Sequence, residues 1–492
     1  MALRNLMGSP SPVVTTNSGP VHALYVDGCW VQSFEQTSVV NPATGQPLAQ
    51  VFSVDRSVAA KAFEAAARAF LLWRDKPARD RAGVLVRLAD ALDREADTFA
   101  RLITAENGKP LSQSKGEVAM SSDHLRWFAE EAKRAYGRVI PNQVAGKRHM
   151  TFKSPVGAVG IICPWNFPLV LVVRKAAAAW AAGCSVVLKP APQTPLSALA
   201  FARLTHDAEL PPGLFNVIAG PAAPIGTEML ENPLCRKISF TGSTSVGRQL
   251  IAGAAHGIKP LSLELGGHAP LLVFDDADLE KAVEGTLVAK FRNAGQSCIA
   301  ANRIFVQRAI YPEFVGHLEQ RVRALKVGEG NEPGVEVGPL IDAAALAKAE
   351  RHIADAVAKG ASVLVGGKRM ERAGNFLAPT VLTNVDPSAL CMNEETFGPV
   401  APICVFDDEQ DAIEKANDSL YGLAAYAFTR DLGRTFRLAE RLEAGTVSIN
   451  DAIPTTSQAP FGGVKQSGWG RELGSEGLDA FLETKHVCLG ID

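Results

Sequence analysis

The chain has 492 residues and carries 50 lysines and arginines against 52 aspartates and glutamates, a formal net charge of −2. This length exceeds what one core usually supports, so two or three domains are expected. The near-neutral charge gives no support for nucleic-acid binding or for an anionic membrane surface. No apolar run approaches the roughly 20 residues that a transmembrane helix needs. We therefore predict a globular protein with neither a nucleic-acid nor a membrane partner.

The first twenty residues and the cysteines indicate the cellular compartment of the protein. The N-terminal segment has no apolar core and no Arg-rich amphipathic pattern, so residues 1–20 are predicted to be a flexible tail, not a targeting signal. The eight cysteines are scattered, without a CxxC pair or a histidine spacing that suits zinc. Dispersed cysteines in a long chain fit a reducing compartment. The sequence therefore predicts a cytoplasmic protein without a metal site.

Short hairpins and a long helical region open the folded part. Residues 25–31 place two apolar stretches around an Asp-Gly turn, and residues 39–52 repeat the pattern. Residues 57–136 are rich in Ala, Leu, Arg and Glu at helical spacing. The polar, irregular residues 137–154 are typical of an arm that leaves the domain and returns.

From residue 156 the chain alternates between strands and helices. The predicted strands of the first series are 156–163, 185–189, 215–218 and 236–240, and the predicted helices between them are 168–182, 195–208 and 245–255. A second series, from about 269 to 450, includes strands at 271–274, 303–306, 362–365 and 446–449. Such βαβ repetition indicates mostly parallel sheets with helices on both faces. The fold class is therefore α/β with two Rossmann-like parallel-sheet domains.

The usual dinucleotide motif is missing. No GxGxxG follows a predicted strand, and residues 242–247 lack the ending of a phosphate loop. However, Phe-Thr-Gly-Ser-Thr at 240–244 closes a strand and opens a helix, where backbone N–H groups converge. This segment indicates a phosphate site on general grounds, but a plain Ser/Thr N-cap is the favoured interpretation of the segment alone.

Three further residues could take part in chemistry. Cys298 has Gly, Gln and Ser before it, which suits a loop, although a lone cysteine is more often a small buried hydrophobe. Glu264 lies in an apolar, strand-like run, where a carboxylate either faces inward with a raised pKa or lies on an exposed edge. Asn166 precedes a predicted helix, and its structural alternative is an N-cap.

The combination of motifs is more specific than any one of them. Pro-Trp-Asn-Phe-Pro at 164–168, Phe-Thr-Gly-Ser at 240–243, Glu-Leu-Gly-Gly at 264–267, Gly-Gln-Ser-Cys at 295–298 and Glu-Glu-Thr-Phe-Gly-Pro at 394–399 occur in that order. Together they resemble the aldehyde dehydrogenase superfamily, from about residue 21 to the C-terminus. The 34-residue spacing from Glu264 to Cys298 also suits the family pattern.

This resemblance implies roles for the three residues. Cys298 is expected to be the nucleophile that attacks the aldehyde carbon. The Asn166 amide and the Cys298 backbone N–H are expected to form the oxyanion hole, and Glu264 to activate the hydrolytic water. Lys175 and Glu472 match positions that sometimes relay protons in the family, and a structural salt bridge is the equal alternative.

The resemblance also implies a nicotinamide dinucleotide, NAD or NADP. The residues that it places around this cofactor are Ile162, Pro164, Trp165, Lys189, Phe240, Gly242, Ser243, Leu265, Glu395 and Phe397. Strictly NAD-dependent members often place Glu three residues after the ribose lysine, where this chain has Pro192. Without that carboxylate nothing repels a 2′-phosphate, and Lys189 remains to pair with it. We therefore predict that NADP is accepted and favoured.

Two arginines indicate the aldehyde class. Arg174 is eight residues past Asn166 on the same predicted helix, and Arg292 is six residues before Cys298. Guanidinium groups at these positions would bind the far carboxylate of a short aldehyde acid. The alternatives are that each arginine lies at the surface or helps to keep Cys298 ionised.

Here the resemblance narrows to the succinate-semialdehyde dehydrogenases. Arg174, Arg292 and a hydroxyl residue, here Thr455 where that branch has Ser, match its carboxylate-binding set. Many members carry a second cysteine two residues after the nucleophile, but this chain has Ala300, so a local disulfide switch is not expected. The changed loop around Thr455 leaves glutarate semialdehyde or another ω-carboxyl aldehyde as an open alternative.

The sequence leaves several alternative functions open and predicts two domains with a small oligomerisation element. The alternatives are a CoA-acylating or broad-specificity aldehyde dehydrogenase, an enzyme for cationic aminoaldehydes, and a non-catalytic binding protein on the same scaffold. We expect a cofactor-binding domain at 21–136 and 155–266 and a catalytic domain at 267–470. A small β oligomerisation element is expected at 137–154 and 471–492. An exposed strand edge of this kind is usually covered by another subunit, and the family implies a homodimer or homotetramer.

Overall fold

The structure is a computed structural model that describes residues 8–9, 12–16 and 19–491. Its strands, in chain order, are β1 (Gly8–Ser9), β2 (Val13–Thr16), β3 (Gly19–His22), β4 (Leu24–Val26), β5 (Cys29–Val31), β6 (Glu35–Val40), β7 (Pro47–Ser53), β8 (Arg138–Ile140), β9 (Lys147–Pro155), β10 (Ala158–Ile162), β11 (Ser185–Lys189), β12 (Phe215–Val217), β13 (Cys235–Thr241), β14 (Leu261–Glu264), β15 (Ala269–Val273), β16 (Ala301–Gln307), β17 (Ser362–Val365), β18 (Thr380–Thr383), β19 (Val400–Phe406), β20 (Tyr421–Gly422), β21 (Ala424–Phe428), β22 (Thr446–Ile449), β23 (Val464–Lys465), β24 (Gly468–Trp469) and β25 (Leu482–Gly490). Its helices are α1 (Arg56–Trp73), α2 (Ala78–Arg94), α3 (Ala96–Asn107), α4 (Leu111–Glu131), α5 (Val170–Ala182), α6 (Leu196–Asp207), α7 (Ala222–Glu231), α8 (Thr244–Ala255), α9 (Leu279–Phe291), α10 (Tyr311–Ala324), α11 (Ala343–Ala358), α12 (Leu390–Asn393), α13 (Glu409–Asn417), α14 (Leu432–Arg441) and α15 (Gly474–Asp479).

The first large sheet has a parallel centre. Its strand order is β1-β5-β4-β12-β11-β10-β13-β14-β24. Strands β12, β11, β10, β13 and β14 run parallel to one another, while β4 and β24 join antiparallel at either side. The chain builds outward from β10 to β12, then returns to place β13 on the other side of β10. That reversal is a topological switch point, where open α/β sheets bind ligands beyond the carboxyl ends of their strands.

The second large sheet is also parallel, with the order β17-β18-β19-β16-β15-β21-β22 and only β17 antiparallel to its neighbour. Alternate residues of β15 pack into different apolar clusters, Leu271 and Val273 on one face and Leu272 on the other. A sheet buried on both faces explains why its strands are continuous apolar runs. The predicted α/β class with two parallel sheets is confirmed.

The predicted arm joins a small antiparallel sheet. Strands β8, β9 and β25 form it, and β25 pairs with β9 along nine residues. The domain boundaries stay predictions; β24, which lies inside the predicted catalytic segment, pairs with β14 of the first large sheet. The tail predicted for residues 1–20 contains strand structure at β1, β2 and the start of β3, and the carbonyl oxygen of Pro12 accepts the backbone N–H of Ala23. Residues 1–7, 10–11 and 17–18 lie outside those described.

Several predicted elements needed correction in their limits. The helical region at 57–136 consists of four helices, α1 to α4, because turns near Pro77 and Pro110 and a break in the backbone at Glu95 interrupt it. The helix predicted from residue 168 begins at Val170. In the described part of the chain, every helix is too short or too polar to cross a membrane.

Candidate active site

The carboxyl ends of three neighbouring strands meet at the switch point of the first sheet. Strand β10 ends at Ile162, β13 at Thr241 and β14 at Glu264. Thr241 and Glu264 are direct partners in the parallel register, so their side chains start from the same edge of the sheet. This edge receives the loop that carries Asn166 and, from the second sheet, the loop that carries Cys298.

A strained turn carries Cys298 into this region. After α9 the backbone of Asn293 and Ala294 adopts positive φ angles of 50° and 54°, which non-glycine residues rarely adopt. The Asn293 side chain holds the turn by donating to the carbonyl oxygens of Asn166, at 2.9 Å, and of Gln296, at 3.1 Å. Gly267 lies so close that a Cβ there would overlap the carbonyl oxygen of Cys298. The position of Cys298 is therefore set by backbone contacts on two sides.

Two cavities meet at Cys298. The first cavity has a volume of about 260 Å³ and extends over the strand ends of the first sheet. The second cavity lies between α4, α5 and the loop around Thr455. Asn166, Thr241 and Cys298 line both cavities. The sulfur is half-buried, so molecules in either cavity could reach it.

Most of the residues predicted around a dinucleotide line the first cavity. They are Pro164, Trp165, Gly242, Ser243, Leu265, Glu395 and Phe397. Ile162, Lys189 and Phe240 are not part of this lining; Ile162 and Lys189 are register partners at the ends of β10 and β11. Ser243 caps α8 by accepting the N–H of Val246 at 3.4 Å, so the N-cap alternative for this residue is confirmed. The cap leaves the N-terminus of α8 directed at the cavity, where an anion would be favoured.

The Asn166 side chain is buried and aimed into the junction of the cavities. Its Nδ2 donates to the carbonyl oxygen of Gln296 at 3.3 Å, and its Oδ1 has no hydrogen-bond partner among the described residues. The N-cap alternative for Asn166 is wrong, because α5 begins at Val170 and has its N-cap at Leu169. One amide hydrogen of Asn166 therefore remains for a ligand.

The Cys298 thiol is held in its protonated form. Burial, with the carboxyl groups of Glu395 and Glu264, raises the pKa of Cys298 to about 12. Arg174 acts in the opposite direction but does not outweigh the burial. Arg174 thus acts in the direction that the ionisation alternative predicts, although the pKa of the thiol stays raised; a positive charge brought into the first cavity would favour the thiolate further.

Glu264 is a buried carboxyl group without a cationic partner in contact. It is 3 % exposed, and its Oε2 has no hydrogen-bond partner among the described residues. Burial, and then the charge of Glu472, raise the pKa of Glu264 well above its usual range. Of the two alternatives for this residue, the inward-facing carboxylate with a raised pKa is the one observed. Such a group is suited to accept a proton.

Glu472 is the ionised member of this pair of carboxyl groups. It contacts the Lys175 ammonium and lies 3.3 Å from Arg174 Nη1. Burial opposes its ionisation, but Lys175 and Arg174 outweigh that effect and lower the pKa of Glu472. The salt-bridge alternative for Lys175 and Glu472 thus describes their geometry.

The two predicted substrate arginines differ in their surroundings. Arg174 is bound to Glu472, and its guanidinium lies 5.1 Å from the centre of the Phe461 ring. Arg292 lies 5.3 Å from the centre of the Phe167 ring, and no described carboxylate is within ion-pair distance of it. Both line the second cavity together with Thr455. The second cavity therefore contains one guanidinium that shares the Glu472 carboxylate with Lys175 and one guanidinium that forms no ion pair with a described residue.

Several lining residues were not anticipated. Thr241, whose buried hydroxyl lacks a described partner, lines both cavities. Met120 comes from α4, and Phe461 precedes the glycines at 462–463. Lys348 donates to the carbonyl oxygen of Glu395 at 2.5 Å. Thr241 could have been predicted as a lining residue, because it follows the end of a predicted strand, just before Gly242. No local pattern indicates that Met120 or Lys348 lines a cavity, because each lies on a helix that is distant in sequence from Cys298.

A fold with two parallel sheets and a cysteine, an amide and a carboxylate around one junction defines an aldehyde dehydrogenase. The model of the aldehyde dehydrogenase family matches residues 30–487, and the chain belongs to this family. It is 50 % identical over 468 residues to a succinate-semialdehyde dehydrogenase [NADP(+)] of Escherichia coli, covering 95 % of this chain and 97 % of the relative. It is also 50 % identical, with the same coverage, to a glutarate-semialdehyde dehydrogenase of Pseudomonas aeruginosa. The crystal structure of succinate-semialdehyde dehydrogenase from Burkholderia pseudomallei superposes with a TM-score of 0.95 at 46 % identity, covering 99 % of this chain and 100 % of that one.

Proposed function

We propose that the protein oxidises succinate semialdehyde, or a similar ω-carboxyl aldehyde such as glutarate semialdehyde, to the carboxylic acid with NADP⁺ or NAD⁺. The observation that carries this proposal is Arg292, a guanidinium without an ion-pair partner among the described residues in the cavity that also contains Cys298. Arg292 is half-buried, and the carboxylate that attracts it most strongly, Glu117, is already paired with Lys109. A partly buried cation without a counter-charge of its own is costly, and an anionic ligand would provide one. The names of the two relatives support the same substrate class.

The residues around the first cavity fit a nicotinamide dinucleotide. Thr241 offers an unpartnered buried hydroxyl, Ser243 begins a helix that faces the cavity, and Glu395 places a buried carboxyl group at its lining. Burial raises the pKa of Glu395 to about 7, and a ribose hydroxyl would give this group a hydrogen-bond donor. When bound, the oxidised dinucleotide supplies the hydride acceptor and a positively charged ring beside the thiol.

The chain's own residues then perform acyl chemistry in two stages. The Cys298 sulfur attacks the carbonyl carbon, and the new oxyanion accepts hydrogen bonds from Asn166 Nδ2 and the Cys298 backbone N–H. Loss of a hydride from the carbon of this adduct, to the hydride acceptor that the bound dinucleotide would supply, leaves a thioester on Cys298. Glu264 then accepts a proton from the water that attacks this thioester, the carbon–sulfur bond breaks, and the carboxylic acid and the free thiol result.

We propose that NADP⁺ is favoured over NAD⁺. The loop after β11 presents Pro192, which is exposed, where an acidic side chain would repel a 2′-phosphate. Lys189 is buried, which lowers its pKa, and its ammonium donates only a long 3.5 Å hydrogen bond to the carbonyl oxygen of Pro190. Titration of the enzyme with each oxidised cofactor tests this preference, and a tighter complex with NAD⁺ would refute it.

Replacing Arg292 tests the substrate class. In Arg292→Ala we expect the KM for succinate semialdehyde to rise about 10- to 100-fold, because a charge-assisted hydrogen bond contributes roughly 1.5–3 kcal/mol. Butanal, which has the same chain length and no carboxylate, is the matched control substrate and should lose less than about twofold. Steady-state rates of absorbance increase at 340 nm measure both.

The same assay separates the chain lengths and the rival functions. Aldehyde acids of increasing length, each tested with NADP⁺ and NAD⁺, identify the preferred substrate. Equal increases in KM for butanal and succinate semialdehyde in Arg292→Ala would refute the carboxylate site. A product that requires CoA would instead indicate the CoA-acylating alternative, which the buried carboxyl group of Glu264 disfavours.

The assembly and the location are also proposed. Strands β8, β9 and β25 carry exposed apolar side chains, among them Val139, Phe152 and Leu489. We infer that a second subunit covers this sheet in a homodimer or homotetramer, because exposed strand edges with apolar residues are usually covered. The scattered free cysteines support a reducing, cytoplasmic environment.

A further inference from the structure

The loop that carries Asn166 is held from outside by the chain between α3 and α4. Asn107 Nδ2 donates to the carbonyl oxygen of Trp165 at 3.0 Å. Lys109 Nζ donates to the carbonyl oxygen of Asn166 at 2.7 Å. These contacts join residues more than fifty positions apart in sequence, and they fix the backbone on either side of the Asn166 side chain.

Lys109 belongs to a fully buried ion pair with Glu117. Lys109 Nζ lies 2.6 Å from Glu117 Oε2, and the two side chains are 0 % and 1 % exposed. Replacing such a pair by apolar residues is often neutral or stabilising, so its presence is not explained by stability. Apart from the contact between the two side chains, the hydrogen bonds of Lys109 Nζ and Glu117 Oε1 go to the Asn166 loop and to the start of α5.

Glu117 also provides the missing cap of α5. The helix has Leu169 at its N-cap, whose side chain cannot accept a hydrogen bond. Glu117 Oε1 instead accepts the backbone N–H groups of Leu169, at 2.9 Å, and Val170, at 3.2 Å. One carboxylate thereby orients both the first turn of α5 and, through Lys109, the Asn166 carbonyl.

We propose that Lys109 and Glu117 are positioning residues that hold the Asn166 amide where the oxyanion forms. Neither residue lines either cavity, so neither touches the substrate; besides holding the Asn166 loop, Glu117 exerts an attractive charge on Arg292. An oxyanion donor stabilises the transition state only when it is aligned before the reaction begins, and the ion pair supplies that alignment. This inference rests on the proposed aldehyde oxidation.

The test compares first-turnover rates at saturating succinate semialdehyde and NADP⁺. Stopped-flow absorbance at 340 nm follows the first equivalent of reduced cofactor, and saturation removes any effect on aldehyde affinity. In Glu117→Gln and in Lys109→Met/Glu117→Gln we expect this rate to fall about tenfold, because a small displacement of a catalytic group is costly. The double variant leaves no buried charge unpaired, so it keeps the test valid if the single variant does not fold.

The same changes in an Asn166→Ala background separate positioning from general loosening. If the pair acts through the Asn166 amide, Lys109→Met/Glu117→Gln slows the first turnover of Asn166→Ala by less than about twofold. A merely structural role would give the tenfold loss in both backgrounds, and that result would overturn the proposal.

Glu106→Gln is the matched control. Glu106 is also fully buried and accepts the N–H groups of Leu196 and Ser197 at the start of α6, a helix that contributes nothing to either cavity. We expect Glu106→Gln to retain the wild-type first-turnover rate. A loss equal to that of Glu117→Gln would overturn the proposal, as would an unchanged rate in Lys109→Met/Glu117→Gln beside an active wild type. An inactive wild type would instead refute the proposed function itself.

Discussion

A Cys298→Ala enzyme is expected to lose turnover of every aldehyde while it still binds NADP⁺. Without the sulfur no thioester forms, and removal of a nucleophile typically lowers kcat by at least roughly 10⁴-fold. The side chain lies at the junction of the two cavities and makes no hydrogen bond to another described side chain, so its loss does not disturb the first cavity. Absorbance at 340 nm measures turnover, and a fluorescence titration measures cofactor binding.

Cys404→Ala provides the control for this prediction. Cys404 is a half-buried cysteine on β19 of the second sheet, away from both cavities. Its replacement should leave kcat unchanged. Residual activity in Cys298→Ala above one hundredth of the wild-type rate would contradict the assignment of the nucleophile.

A Glu264→Gln enzyme is expected to form the thioester but to release it slowly. The carboxyl group, not the shape of the side chain, accepts the proton from water, and loss of a general base costs about 10²- to 10⁴-fold. Stopped-flow traces should therefore show one equivalent of reduced cofactor per active site, followed by a slow steady state. Mass spectrometry of the quenched enzyme should detect the acyl group on Cys298.

The raised pKa of Glu264 adds a pH signature to this prediction. A base whose pKa is raised is active only when it is deprotonated, so the wild-type hydrolysis rate should fall as the pH decreases through the raised pKa of Glu264. In Glu264→Gln this dependence should disappear, because glutamine does not titrate. A Glu264→Gln enzyme with a wild-type steady-state rate, or with an unchanged pH profile, would exclude Glu264 as the base.

The strands at the centre of the fold could be predicted from local pattern. Ser185–Lys189 is observed with the limits that the sequence indicates, because a buried parallel strand is a short apolar run between polar or glycine-containing turns. Thr446–Ile449 is also observed with its predicted limits, although it is a half-buried strand at the edge of the second sheet. The helices were less accurate at their starts. The first turn of α5 is capped by Glu117 from another helix, and no local residue marks that boundary.

The site could be located from sequence, but the charge state of its members could not. Cys298, Asn166 and Glu264 line one cavity, as the family resemblance of their motifs implied. Glu472 approaches Lys175 across 297 positions of sequence and also pairs with Arg174. These contacts distinguish Arg174, which shares a carboxylate with Lys175, from Arg292. Long-range pairing of this kind leaves no periodic signal in the chain. For the same reason, the contacts of Lys109 and Glu117 with the Asn166 loop and with α5 could not be predicted from the sequence.

The narrow junction of the two cavities has a consequence for inhibition. Because they share only Asn166, Thr241 and Cys298 among the described residues, a compound confined to the space beside Arg292 would not compete with the dinucleotide. Two weak fragments, one for each chamber, could therefore occupy the enzyme together. A linker that joined them would have to pass directly over the sulfur, where an electrophilic carbon would trap both halves through one covalent bond.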